Sequence, residues 1–148
     1  MTAIVKTHWI FSLTMCNCGY TWNEIVAIVA QFPNLETLNL SGNQINDIDE
    51  STLPGKISFI DLSNNPITSF PTNLGSLKQL NELNLMSCQI EQIKPFDKSK
   101  FGALRTLVLA ENPLKTIESF DSLNLIKTLE FLSVRNCTGW FYIRKNQT

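Results

Sequence analysis

Six times between residues 10 and 139 the chain writes one eleven-position pattern. Aliphatic residues hold positions one, four and six, Asn or Cys holds position nine, and position eleven is usually apolar. The clearest copy is Leu35-Glu-Thr-Leu38-Asn-Leu40-Ser-Gly-Asn43-Gln-Ile45, followed by Ile57-Ser-Phe-Ile60-Asp-Leu62-Ser-Asn-Asn65-Pro-Ile67. Two further copies carry Leu80, Leu83, Leu85, Cys88, Ile90 and Leu104, Leu107, Leu109, Asn112, Leu114. Degenerate copies flank them, one with Ile10, Leu13, Met15, Cys18 and Tyr20, the other with Leu129, Leu132, Val134 and Cys137; in the last, Gly139 replaces the aliphatic residue. Successive first positions, at 10, 35, 57, 80, 104 and 129, lie 25, 22, 23, 24 and 25 residues apart. Self-similarity at such a period means one supersecondary unit per repeat, each unable to bury its apolar side chains alone.

The two-residue period of a strand sends positions four and six inward and positions three, five and seven outward. Stacking the strands buries the inward residues of adjacent coils against one another. The expected fold is therefore an α/β leucine-rich repeat solenoid, a right-handed superhelix of about six repeats. It has a parallel concave sheet and short helices or 3₁₀ turns on the convex side, all within a single domain covering residues 1–148. Thr21-Trp-Asn-Glu24 reads as a capping box, and Ile25, Val26, Ile28, Val29 and Phe32 give one apolar face, so a helix is expected over residues 22–31, ended by Pro33. Pro71 to Lys78 reads as a single turn or 3₁₀ segment, and Ser119 to Lys127 as a second short helix. Ile45 with Ile48, Ile67 with Phe70, Ile90 with Ile93 and Leu114 with Ile117 extend the core beyond the strands.

Position nine lies where the chain turns away from the strand, so its side chain is placed to bond buried backbone groups. Cysteine serves there as a small buried residue with a weak donor, which assigns Cys18, Cys88 and Cys137 one structural column. Cys16, at position seven, faces outward, and a C-x-C pair is too little for zinc. Asp47, Asp49 and Glu50 read as an exposed acidic turn, since their spacing is not that of a calcium loop. One histidine, His8, and the lack of any phosphate loop, nucleophile elbow or metal-ligand motif leave no catalytic, cofactor or metal residues to assign. A non-enzymatic binding protein is expected.

With 12 basic and 13 acidic residues the chain lacks the positive surplus of a nucleic-acid binder. Charge is uneven: residues 1–61 hold two bases and six acids, whereas residues 62–148 hold ten bases and seven acids. The later half reads as a mixed solvated surface that an acidic target would also suit. The apolar run Ile10 to Met15 is short, follows Lys6 and His8, and precedes no small-residue cleavage site, so it reads as structure rather than a signal peptide. No run reaches the length of a membrane span. The triplets beginning at Asn39, Asn136 and Asn146 match the glycosylation pattern, which carries no meaning without secretion.

Outward positions predict the recognition surface. The rows are Ser12, Thr14, Cys16; Thr37, Asn39, Ser41; Phe59, Asp61, Ser63; Glu82, Asn84, Met86; Thr106, Val108, Ala110; and Phe131, Ser133, Arg135. Phe59, Met86, Val108 and Phe131 are apolar where solvent favours polar side chains, which marks apolar anchors within a polar surround. The candidate protein-binding residues are Phe59, Asp61, Glu82, Asn84, Met86, Val108, Phe131 and Arg135.

Residues between the repeats resemble the leucine-rich repeat domain of the tubulin-binding cofactor E family, including its E-like branch. They are Cys18-Gly-Tyr-Thr-Trp-Asn-Glu-Ile25, Gln31-Phe-Pro-Asn-Leu-Glu-Thr-Leu-Asn-Leu-Ser-Gly-Asn43, and the segments Ile93 to Leu104 and Ser119 to Leu132. The resemblance covers about residues 10–138. It implies a cytoplasmic chaperone, in reach of the cytoskeleton, whose repeats hold α-tubulin while other tubulin cofactors assemble or dismantle the αβ dimer. A monomer with no cofactor, nucleic acid or membrane partner is expected. The alternative is an intracellular repeat scaffold or regulatory subunit of a phosphatase or splicing complex.

Overall fold

A computed structural model describes residues 7–49, 53–115, 123 and 126–137. Within them, three-residue strands recur once per repeat: β1 Ser12–Thr14, β2 Thr37–Asn39, β3 Phe59–Asp61, β4 Glu82–Asn84, β5 Thr106–Val108 and β6 Phe131–Ser133. They form one parallel sheet in the order β1-β2-β3-β4-β5-β6. Register follows the repeat without a slip, so Leu13, Leu38, Ile60, Leu83, Leu107 and Leu132 lie side by side, each at position four.

Burial follows stacking. Leu38, Ile60, Leu83 and Leu107 are at most 1% exposed, and Leu40, Leu62, Leu85 and Leu109 are wholly inaccessible. Leu13 and Leu132, in the first and last described coils, are only partly buried, each with a described coil on one side alone. One contiguous core joins all these residues to Ile45, Ile48, Ile67, Phe70, Ile90, Ile93 and Leu114. Ile117, the expected partner of Leu114, lies outside the described residues.

The return segments differ in kind. Helix α1, Trp22–Val29, is shorter than the expected 22–31 because the chain turns at Ala30 towards Pro33. Its capping box is present: the Thr21 N–H and hydroxyl both donate to the Glu24 carboxylate at 2.8 Å. Trp22, Ile25 and Val29 form the buried face. The Pro71 to Lys78 segment contains a 3₁₀ turn, Thr72–Ser76, and further turns occur at Thr7–Trp9 and Lys98–Phe101. Most of the helix expected over Ser119 to Lys127 lies outside the described residues.

A ladder of side chains at position nine ties coil to coil. The Asn43 amide donates to the carbonyls of Met15, one coil back, and Leu40, in its own coil, at 2.7 and 2.8 Å. Asn65 repeats this towards Leu40 and Leu62, at 3.0 and 2.9 Å, and Asn112 towards Leu85 and Leu109, at 2.7 and 3.0 Å. Their carboxamide oxygens accept backbone N–H groups of the preceding coil, from Tyr20, Ile45 and Ile90 respectively. Cys88 and Cys137 keep the bond backwards, to the carbonyls of Leu62 and Leu109 at 3.5 and 3.4 Å, and Cys88 adds a long contact to the Met86 carbonyl of its own coil at 3.8 Å. Lacking an acceptor of comparable strength at Cys88, the Ile67 N–H turns to the Asn65 carbonyl at 2.8 Å. Burial pushes the Cys88 thiol pKa up to about 11 and raises that of Cys137.

Cys18 departs from the expectation for this column. It is exposed, and its thiol donates to the Cys16 carbonyl at 3.3 Å. No earlier coil stands behind it among the described residues to supply the carbonyl that Cys88 and Cys137 use. A second regularity is the left-handed residue just before each ladder position. Asn17, Gly42, Asn64, Ser87, Glu111 and Asn136 all have φ between 52° and 69°, the turn that lifts the chain out of the sheet.

Candidate functional site

Strand geometry ends at position five, which decides what the open face of the sheet presents. Positions three and five of every coil face outward, as expected. At position seven the chain is already bending into the left-handed turn, and the small side chains of Ser63 and Ala110 tuck between coils, only 6% and 5% exposed. The expectation that this whole row faces outward is therefore corrected: Cys16, Ser41 and Met86 are half-buried and Arg135 is exposed.

Position five carries a structural duty in the first half of the sheet. The side-chain oxygens of Asn39, Asp61 and Asn84 accept the N–H two residues on, at Ser41, Ser63 and Met86, at 3.0, 2.9 and 3.0 Å. These Asx turns hold the strand exit in place. Asn39 also accepts the Cys16 thiol at 3.1 Å, while the Ser41 hydroxyl donates to the same sulfur at 3.2 Å. Asp61 and Asn84 are thus half-buried and partly occupied, so each offers a ligand less than its full hydrogen-bonding capacity.

From β5 onward the face changes character. Val108 replaces the Asx residue, and Met86, Val108 and Phe131 follow one another diagonally across neighbouring strands. Phe131 is 55% exposed; Met86 and Val108 are half-buried. Diagonal neighbours on a sheet lie about 7–8 Å apart, within reach of one ligand side chain. Phe59 is half-buried and pairs in register with Thr37 and Glu82. Exposed Glu82 and Arg135 stand at the margins of the stripe. The structure brings Met86, Val108 and Phe131 together and leaves Phe59 two strands from Val108.

Asp49, which sequence reasoning left on a solvated acidic turn, accepts the indole N–H of Trp22 at 3.0 Å and so fastens α1 to the next coil. The Asp47 carboxylate accepts the N–H of Ile48 at 2.9 Å. Among the described residues no three His, Cys, Asp or Glu side chains gather as a metal site would require, and no helix is long and apolar enough to cross a membrane.

Sequence reasoning missed a second concavity, on the flank of the third to fifth coils. An open groove of about 890 Å³ is lined by Phe70, Phe96, Pro95, Lys94 and Lys100 among others. Phe70 was expected only as core. Phe96, in the return Lys94-Pro-Phe-Asp97, packs against the core and against the rings of Phe70 and Phe101.

A parallel sheet of one strand per coil, an Asn/Cys ladder and an open outward face define a leucine-rich repeat domain. A family model described as "Leucine rich repeat" matches residues 33–90. Among individual proteins, Tubulin-specific chaperone E of Danio rerio is 28% identical over 132 residues, which cover 83% of this chain and 25% of that protein. The protein of the same name from Dictyostelium discoideum is 26% identical over 163 residues, covering 88% and 31%. The chain is similar to these chaperones over most of its own length and spans about a quarter to a third of theirs. Toll-like receptor 6 of Bos taurus is 31% identical over 99 residues, covering 66% of this chain and 12% of the receptor. Among solved structures, internalin C2 from Listeria monocytogenes superposes with a TM-score of 0.62 at 25% identity, covering 87% of this chain and 53% of that one.

Proposed function

We propose that this domain binds a protein through the open face of its sheet, and that the partner is α-tubulin, held within a cytoplasmic chaperone that folds tubulin or dismantles its dimer. The observation that carries the binding role is the diagonal of Met86, Val108 and Phe131. These are apolar side chains on the sheet and, for Met86, at a strand exit, where no core contact calls for them. Polar and charged neighbours, Asn84, Glu82 and Arg135, border the diagonal as the rim of an interface does. The choice of tubulin rests on the likeness to two chaperones of tubulin from distant organisms, and it extends to other tubulin cofactors as further partners.

Immobilised chain incubated with purified αβ-tubulin tests the proposal. The expected result is saturable retention that falls about 5–30-fold in Phe131→Ala and Met86→Ala, from losing ~1–2 kcal/mol per anchor. Circular dichroism should show both variants folded. Tubulin flowing through unbound would refute the choice of partner, and unchanged retention in both variants would refute the choice of face. The match to Toll-like receptor 6, over two thirds of the chain, is a likeness of these repeats to a protein other than a tubulin chaperone, and a second reading stands beside the first. There the repeats serve a scaffold or regulatory subunit with a different protein partner, and capture of a phosphatase or splicing particle without tubulin supports it.

A further inference from the structure

The groove beside the third to fifth coils stands apart from the open face of the sheet. Its floor is aromatic: Phe70 stacks on Phe96 with ring centroids 5.2 Å apart, and Phe101 braces both rings at 5.8 and 5.6 Å. The close packing beneath it depends on Gly75, where a Cβ would meet the Lys100 Cβ at 2.6 Å and the Phe101 ring at 3.1 Å. The flank itself is extended backbone, with Ser69 and Gln92 paired in parallel. A volume of about 890 Å³ falls in the range that holds a short peptide segment or drug-sized ligand.

Its charges are unequal in what they leave free. Glu91 is bound by Lys115 at 2.8 Å. Asp97 accepts the backbone N–H and the hydroxyl of Ser99, at 3.1 and 2.6 Å. Both acids in the lining thus have partners. The side chains of Lys94 and Lys100, also in the lining, make no hydrogen bond or ion pair among the described residues, and the Lys100 charge is felt by Asp97 only at longer range. Ammonium groups with no direct bond on the rim of a partly apolar groove attract carboxylates, and the field adds to the rate and selectivity of encounter.

We propose that this groove docks an extended acidic segment of a protein partner. Alternate carboxylates meet Lys94 and Lys100, and the intervening apolar side chains lie over Phe96 and Pro95. An extended strand sends alternate side chains to opposite sides, which matches a groove with a charged rim and an aromatic floor. This site is separate from the Met86, Val108 and Phe131 diagonal, so the two bind independently.

The test is fluorescence polarisation of the full 148-residue chain with a labelled peptide of alternating Glu and Val, against a control of alternating Gln and Val. The Glu peptide should bind, the Gln peptide about tenfold or more weakly, and added salt should narrow the gap. The double variant Lys94→Gln/Lys100→Gln, which alters only exposed side chains and should fold as the parent does, should lose about tenfold in affinity for the Glu peptide. Phe131→Ala should leave that affinity unchanged. Equal binding of the two peptides, absence of binding, or full affinity in the double variant each overturns the proposal. None of these results depends on whether tubulin binds the sheet face.

Discussion

Removing the Asn65 side chain puts the position-nine ladder to its sharpest test. Asn65 is 3% exposed, and water has little access to whatever Asn65→Ala leaves behind. Its oxygen takes the Ile45 N–H at 3.1 Å, the only partner of that donor among the described residues, so the N–H becomes an orphan. Its amide serves the Leu62 carbonyl at 2.9 Å, which would keep only the Cys88 thiol at 3.5 Å. The Leu40 carbonyl loses one of two donors but keeps Asn43 at 2.8 Å. One buried group fully stranded and one left with a weak donor, at about 1–3 kcal/mol for each stranded group, give a destabilisation of roughly 2–4 kcal/mol. Against a typical total of about 5–15 kcal/mol this is a large fraction. Urea unfolding followed by far-ultraviolet circular dichroism measures it, with Asn23→Ala on the exposed side of α1 as a control expected to change little. Asn65→Cys should fall between, because a thiol restores a donor but no strong acceptor. A loss below about 1 kcal/mol for Asn65→Ala, at an unchanged denaturant slope, would refute the ladder as a source of stability.

Leu62→Ala, at a site with no accessible surface, should cost about 2–5 kcal/mol through the cavity it opens between coils, measured by the same denaturation. Ser87→Gly should stabilise by about 0.5–1 kcal/mol, because Ser87 sits at φ 52° where only glycine is free of strain; a lower melting temperature would contradict this. The Cys88 thiol, raised from 9.0 to about 11, holds its proton more tightly folded than unfolded. Its contribution is therefore intact below pH 9 and lost as pH climbs from there towards 11. Stability of the parent chain should drop by about 1–2 kcal/mol more than that of Cys88→Ala between pH 8 and 11, and parallel curves would exclude the effect.

The repeat itself was legible because its information is local and its physics is nearest-neighbour. Aliphatic residues at positions one, four and six must be shielded by the adjacent coil, and that demand alone sets the strand register found at Leu38, Ile60, Leu83 and Leu107. The capping box at Thr21 and Glu24 was equally readable, since both partners lie within one helical turn. Outward positions three and five followed from strand alternation, so Phe59, Val108 and Phe131 were found without coordinates.

What stayed hidden depends on how far each side chain reaches and on what the neighbouring coil brings beside it. Cys18 reads like Cys88 and Cys137 but is exposed, because a ladder bond needs a carbonyl from the coil behind. Ser63 and Ala110 share their position with Met86 yet are buried, because the backbone is already turning there and only small side chains fit between the coils. The groove could not be read from the pattern, since Phe70, Phe96 and Phe101 belong to return segments of unequal length that only parallel stacking brings together. Periodic side chains dictated the coils and their order; contacts between the irregular returns, which no period constrains, were decided in three dimensions.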